Sequence, residues 1–155
     1  MSHPPYPTLH ADVNRVLDHF RSQLHELLGD EFVGMYLVGS LALGDFNPNG
    51  SDIDIVVATS GEIGPNELGS LKQLHSAFSE SGSPWSSRVE AIYIPTFALR
   101  STGSTGTVAS HFPQIEKGRA MDLAPLEDGW IFQCLTIRDH GVRIMGPDPR
   151  TLVLC

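Results

Sequence analysis

Two aspartates one residue apart at the mouth of an apolar run, Asp52-Ile53-Asp54-Ile55-Val56-Val57-Ala58, constrain this chain more than any other feature. The run reads as a β-strand, and a strand sends residues i and i+2 to the same face. Asp52 and Asp54 therefore project together, while Ile53, Ile55 and Val57 point to the opposite, core-facing side. Two carboxylates side by side on a rigid strand repel, and at least one pKa rises unless a cation sits between them. Hard oxygen ligands of this kind suit Mg²⁺, which commonly takes one or two carboxylates together with phosphate oxygens. Upstream, the strand ending in Tyr36-Leu37-Val38 turns at Gly39-Ser40. Glycine allows close approach of the backbone, and a serine hydroxyl with the turn amides can hold a phosphate. A phosphate cradle facing a metal-binding carboxylate pair is the apparatus of phosphoryl or nucleotidyl transfer.

Gly39-Ser40, eleven residues, then Asp52-x-Asp54 entering an apolar strand resembles the signature of the nucleotidyltransferase superfamily typified by DNA polymerase beta. More narrowly, it resembles the aminoglycoside adenylyltransferases that modify streptomycin and spectinomycin. Those enzymes carry a Gly-Ser loop, a Ser-Asp-x-Asp strand and a Val-Glu strand in this order and at similar spacing. Here the third element is Val89-Glu90-Ala91-Ile92-Tyr93-Ile94, whose alternation sends Glu90, Ile92 and Ile94 to one face. A lone Glu at a strand start is usually a solvated edge residue. The resemblance implies more, a third acidic residue on a strand neighbouring the carboxylate pair, and Glu90 is the one good candidate. Asp45 sits in the loop before the pair, and Glu116 lies in a segment without strand character. The passage Asp139-His140-Gly141-Val142-Arg143-Ile144-Met145-Gly146-Pro147 also resembles the end of the N-terminal domain in these adenylyltransferases.

The resemblance implies an α/β (α+β) nucleotidyltransferase fold, a small mixed β-sheet flanked by helices. It also implies a reaction, attack of an acceptor hydroxyl on the α-phosphorus of a nucleoside triphosphate with release of pyrophosphate. ATP would be the co-substrate and a small cationic aminoglycoside the acceptor. Asp52 and Asp54 would hold Mg²⁺, Gly39 and Ser40 would grip the triphosphate, and Glu90 would act as general base or share the metal. Ser51 could help orient the pair, although a strand-entry serine is an equally good turn residue.

Composition agrees with a soluble domain. Of 155 residues, 41% are apolar and 18% charged, which is ordinary for a globular chain long enough for one core. No apolar run approaches the roughly 18 residues of a membrane span. The start, Met1-Ser2-His3-Pro4-Pro5, lacks a basic region followed by an apolar one, so no signal peptide is expected. Cys134 and Cys155 alone make no disulfide framework, and the cytoplasm is the expected location. The net charge of −8 argues against a nucleic-acid partner, since phosphate neutralisation needs Lys and Arg. An acidic surface instead attracts cations.

Residues 1–8 read as a flexible arm, 9–150 as the nucleotidyltransferase domain and 151–155 as a tail. Within the domain, helical periodicity covers His10–Leu28, Asn66–Phe78 and Leu126–His140, and strands are expected at Phe32–Val38, Asp52–Ala58, Val89–Ile94 and Val142–Met145. Leu41–Gly44 suits a short helical turn, and Asn47-Pro48-Asn49-Gly50 is turn chemistry. Leu99–Gly118, rich in Gly, Ser and Thr, reads as a surface loop, with a lid over the carboxylates as the functional alternative. His111 and Trp130 are weaker candidates for an acceptor pocket. The aminoglycoside enzymes continue into a helical C-terminal domain that the sequence to Cys155 lacks. The chain could therefore be a fragment, a site completed by a second copy or a helical partner, or a minimal antitoxin-like partner of a helical toxin. An inactive nucleotide-binding domain is the remaining alternative, and the intact carboxylates speak against it.

Overall fold

The computed structural model describes residue 8 and residues 10–39, 47, 50–101, 111–116, 119–126 and 130–153. Residues 1–7 of the expected flexible arm, the corner residue Ser40, the Leu41–Gly44 turn and most of the Gly/Ser/Thr-rich stretch lie outside the described residues.

Helix α1 (Ala11–Leu28) forms because Val13, Val16, Leu17, Phe20, Leu24 and Leu28 recur at helical spacing, and all six are buried. Gly29, at φ 55, ends it, and a 3₁₀ turn over Gly29–Glu31 leads into β1 (Phe32–Val38). Then come β2 (Ile53–Thr59) and α2 (Pro65–Ser79), whose proline sits in the first turn where its missing N–H is not needed. β3 (Val89–Pro95) is followed by a short α3 (Thr96–Ser101), β4 (His111–Ile115) and β5 (Asp122–Pro125). The chain closes with α4 (Trp130–His140), β6 (Val142–Met145) and α5 (Pro149–Leu152).

The described strands make one mixed sheet in the order β5-β4-β3-β2-β1-β6. β2 and β3 are parallel, with α2 as their crossover; β1 is antiparallel to both β2 and β6, and β4 to both β3 and β5. Helices cover both faces. Ile53, Ile55 and Val57 point towards α1 and α2 and join Phe20, Leu24, Leu71 and Tyr93 in one core. Val56 and Ala58, one residue out of phase, pack on the other side with Leu99, Cys134, Ile137 and Leu152. Burying a side chain such as Phe20, 1% exposed, contributes roughly 1.5–3 kcal/mol. The Trp85 Nε1–H donates to Asp12 Oδ2 at 3.1 Å and ties the connection before β3 to α1. Among the described residues, no helix is long and apolar enough to cross a membrane.

The structure departs from the sequence expectation in its second half. His111–Ile115 and Asp122–Pro125 are strands where the sequence suggests a loop. Pro113 hides β4, because proline has no N–H to give to a ladder and argues against strand. Residues 149–152 are helical, and Leu152 and Val153, read from sequence as tail, are 4% and 1% exposed in the second core.

Candidate active site

The parallel register of β2 and β3 sets Asp54 opposite Glu90. Paired positions share a face, so both carboxylates leave the sheet on the α4 side. Glu90 stands close enough to Asp54 for their side chains to hydrogen-bond when one carboxyl carries a proton. Burial, that hydrogen bond and the charges of Glu90 and Asp52 together push the Asp54 carboxyl up to about 7.

On its other side Asp54 pairs with Val38 of β1, so the next residue, Gly39, emerges directly against it. Gly39 has φ 67, and a β-carbon there would stand 2.1 Å from Asp54 Oδ2. Only glycine meets both demands, the left-handed backbone and the absence of a side chain.

A cavity of about 330 Å³ lies over this pair. Besides Gly39, Asp54 and Glu90, its polar lining is Gln114, Glu116 and Gln133. Gln114 pairs with Ile92 across β3 and β4 and therefore shares the Glu90 face. Its Nε2 donates to the carbonyls of Ala124 (2.9 Å) and Pro125 (3.1 Å), leaving Oε1 as the remaining polar atom of the side chain. Glu116, one residue past the end of β4, corrects the view that its segment has no strand character. These three residues were not legible as site residues. The period-2 spacing of Phe112, Gln114 and Glu116 was the one available signal, and Pro113 masked it.

The other expected residues fall as follows. Asp52 precedes β2 and acts on Asp54 through its charge, but it does not line the cavity. Among the described residues no three His, Cys, Asp or Glu side chains form a preassembled metal cluster; the structure gives a carboxylate pair with a third acid in electrostatic reach. Ser51 is a turn residue. Its Oγ accepts from the Asn47 N–H at 3.0 Å, Asn47 O accepts from the N–H groups of Gly50 and Ser51, and its carbonyl accepts from the Arg88 guanidinium. Ser40 and the side chain of Trp130 lie outside the described residues. His111 is exposed at the start of β4 and does not line the cavity.

The donor set fits Mg²⁺. Asp54 and Glu90 offer hard oxygens whose mutual repulsion a divalent cation would relieve, and the missing side chain of Gly39 lets the Asp54 carboxylate sit against the corner.

A mixed sheet with helices on both faces, carrying acidic side chains on adjacent strands beside a glycine corner, defines the nucleotidyltransferase fold. Residues 17–83 of the chain match the nucleotidyltransferase domain family. Among solved structures, its fold is similar to that of spectinomycin adenyltransferase AAD(9) from Enterococcus faecialis, determined with ATP and spectinomycin (TM-score 0.65, 17% identity). That match covers 90% of this chain and 59% of that one, so the present chain spans less than two thirds of its structural relative. A toxin–antitoxin structure with AMP-PNP is similar at a TM-score of 0.45 and 16% identity, covering 87% of this chain and 78% of the other. No curated protein matches the sequence.

Proposed function

We propose that the chain transfers AMP from ATP to a hydroxyl of a small cationic acceptor, an aminoglycoside-type amino sugar, with release of pyrophosphate. The observation that carries this reading is the register of Asp54 on Glu90 with Gly39 pressed against Asp54. The fold likeness to an adenyltransferase solved with ATP and spectinomycin supports it.

In this reading Asp54 and Glu90 would hold Mg²⁺ at the cavity, with the Asp52 carboxylate adding its charge beside them. When bound, the ion offsets negative charge on the triphosphate and on the pyrophosphate leaving group. Gly39, with Ser40 after it, receives the phosphates where a side chain would block them. Glu90 takes the proton of the acceptor hydroxyl as that oxygen attacks the α-phosphorus. Gln114 Oε1, Glu116 and Gln133 face the acceptor with hydrogen-bond acceptors and negative charge, which suits ammonium and hydroxyl groups. Ser51 holds the turn that sets the start of β2. A second copy or a helical partner completes the acceptor side of the cavity, and antibiotic inactivation in the cytoplasm is the physiological role.

Pyrophosphate release measured with ATP, Mg²⁺ and a panel of aminoglycosides tests the reading, with Asp54→Asn as control. Acceptor-dependent release that disappears in the variant is expected. Release indifferent to Asp54→Asn, or none with any acceptor and partner combination, overturns it.

A further inference from the structure

On the opposite side of the sheet a second cavity, of about 580 Å³, lies between α2 and strands β3 and β4. Val89, which alternates with Glu90, forms its floor with Met121, and Lys72, His75 and Ser76 of α2 face Arg119 across it. Residues 72, 75 and 76 sit on one helical stripe. The two cavities meet at the sheet edge, where Ile115 and Glu116 line both.

His75 decides what this cavity can hold. It is 3% exposed, and its Nε2 lies 2.7 Å from the hydroxyl of Tyr93, itself 1% exposed. Burial holds the Tyr93 phenol well above its ordinary pKa, so it keeps its proton. A buried hydroxyl proton needs an acceptor, and the one the described residues give it is His75 Nε2. Tyr93 therefore donates, Nε2 accepts, and the imidazole proton resides on Nδ1. Burial also holds this imidazole down to about 4, so the ring is neutral at neutral pH and the tautomer is fixed. Nδ1–H is thus a preset donor with no partner among the described residues, on a side chain that lines the cavity.

The cations near it are loosely held. Lys72 meets Asp122 at 4.0 Å and Arg119 meets Glu116 at 3.8 Å, both on exposed side chains. Pairs of this kind are worth about 0–1 kcal/mol, so an incoming anion can draw either cation away. The volume lies within the range of small-molecule sites, roughly 300–1,000 Å³.

We propose that this cavity binds a small organic oxyanion, a carboxylate or phosphate ester, whose charged group receives His75 Nδ1–H and the Lys72 ammonium while its apolar body rests on Val89 and Met121. Arg119 closes over the anion from the β5 side. The site is separate from the carboxylate pair and does not rest on the transferase reading.

Long-range ¹H–¹⁵N NMR of the full chain reads His75 directly. At neutral pH the ring should show the Nδ1–H tautomer. Titration with phenyl phosphate, and separately with benzoate, at constant ionic strength should shift Nδ1 and its proton along a saturable curve. Comparing the two distinguishes a phosphate site from a carboxylate site. Lys72→Gln should weaken binding about tenfold, the loss expected for one charge-assisted contact, with the fold unchanged by circular dichroism. His75→Phe should abolish binding; because it strands the Tyr93 hydroxyl and can unfold the chain, Lys72→Gln is the deciding variant. An Nε2–H tautomer, a linear unsaturating shift for both probes, affinity unchanged in Lys72→Gln, or shifts confined to Gly39 and its neighbours would each overturn the proposal.

Discussion

Gly39 and Asp54 are in such close contact that a single added carbon at position 39 would lie 2.1 Å from the Asp54 Oδ2. The contact couples the corner after β1 to the carboxylate on β2, so a change at either should be felt at the other.

Gly39→Ala tests that coupling. The backbone at φ 67 is strained for alanine by about 1–2 kcal/mol, and the methyl must also displace the Asp54 carboxylate. A stability loss of about 1–3 kcal/mol in urea unfolding is expected, together with loss of ATP binding by calorimetry. Retained ATP affinity would break the link between this corner and the nucleotide.

Asp54→Asn should trade activity for stability. The Asp54 carboxyl is raised in the folded state from 3.8 to about 7, so the native fold favours the proton and carries a penalty that grows as pH rises between those values. Removing the charge relieves it. After discounting for partial solvent exposure, the variant should be more stable than the parent by ~1–2 kcal/mol above pH 7. The difference should vanish near pH 4, and pyrophosphate release should be lost at every pH.

Mg²⁺ should act most strongly where Asp54, raised to about 7, is ionised. The thermal midpoint should rise with added Mg²⁺ and ATP and fall back on chelation with EDTA, and the rise should be larger at pH 8 than at pH 5.5, because protons compete with the ion for the same oxygens. Glu90→Gln should reduce the Mg²⁺-dependent rise without reversing the stability of the apo fold. A rise independent of pH and of Glu90 would place the ion elsewhere.

His75 gives the opposite pH sign to Asp54. Its folded pKa is depressed from 6.5 to about 4, so its contribution is whole above 6.5 and is lost as pH falls through that window. The slope approaches about 1.4 kcal/mol per pH unit. Asp54 opposes this loss in the same range, so the measurement belongs in an Asp54→Asn background. There His75→Gln, which keeps an acceptor for Tyr93, should flatten the acid limb of chemical unfolding curves. An unchanged limb would mean that His75 is protonated in the native state.

What the sequence by itself determined is what short-range pattern can specify. The period-3.6 stripe of α1, the strand Phe32–Val38, and the alternation that puts Asp54 and Glu90 each on one face of its own strand all follow from neighbours a few residues apart. The turn at Asn47–Gly50 with Ser51 closing it was likewise written in local chemistry. Only the tertiary structure decided that Asp54 meets Glu90, since the register between two parallel strands joined through α2 is set by core packing, not by either strand alone. The same holds for β4, where Pro113 argued locally against a strand and the ladders with β3 and β5 overruled it, carrying Gln114 and Glu116 to the cavity. It holds too for the His75–Tyr93 pair, 18 residues apart in the chain, whose meeting fixes a proton on one ring nitrogen. Local sequence chooses which way a side chain leaves its own element; which partner it finds there depends on contacts closed over long stretches of chain.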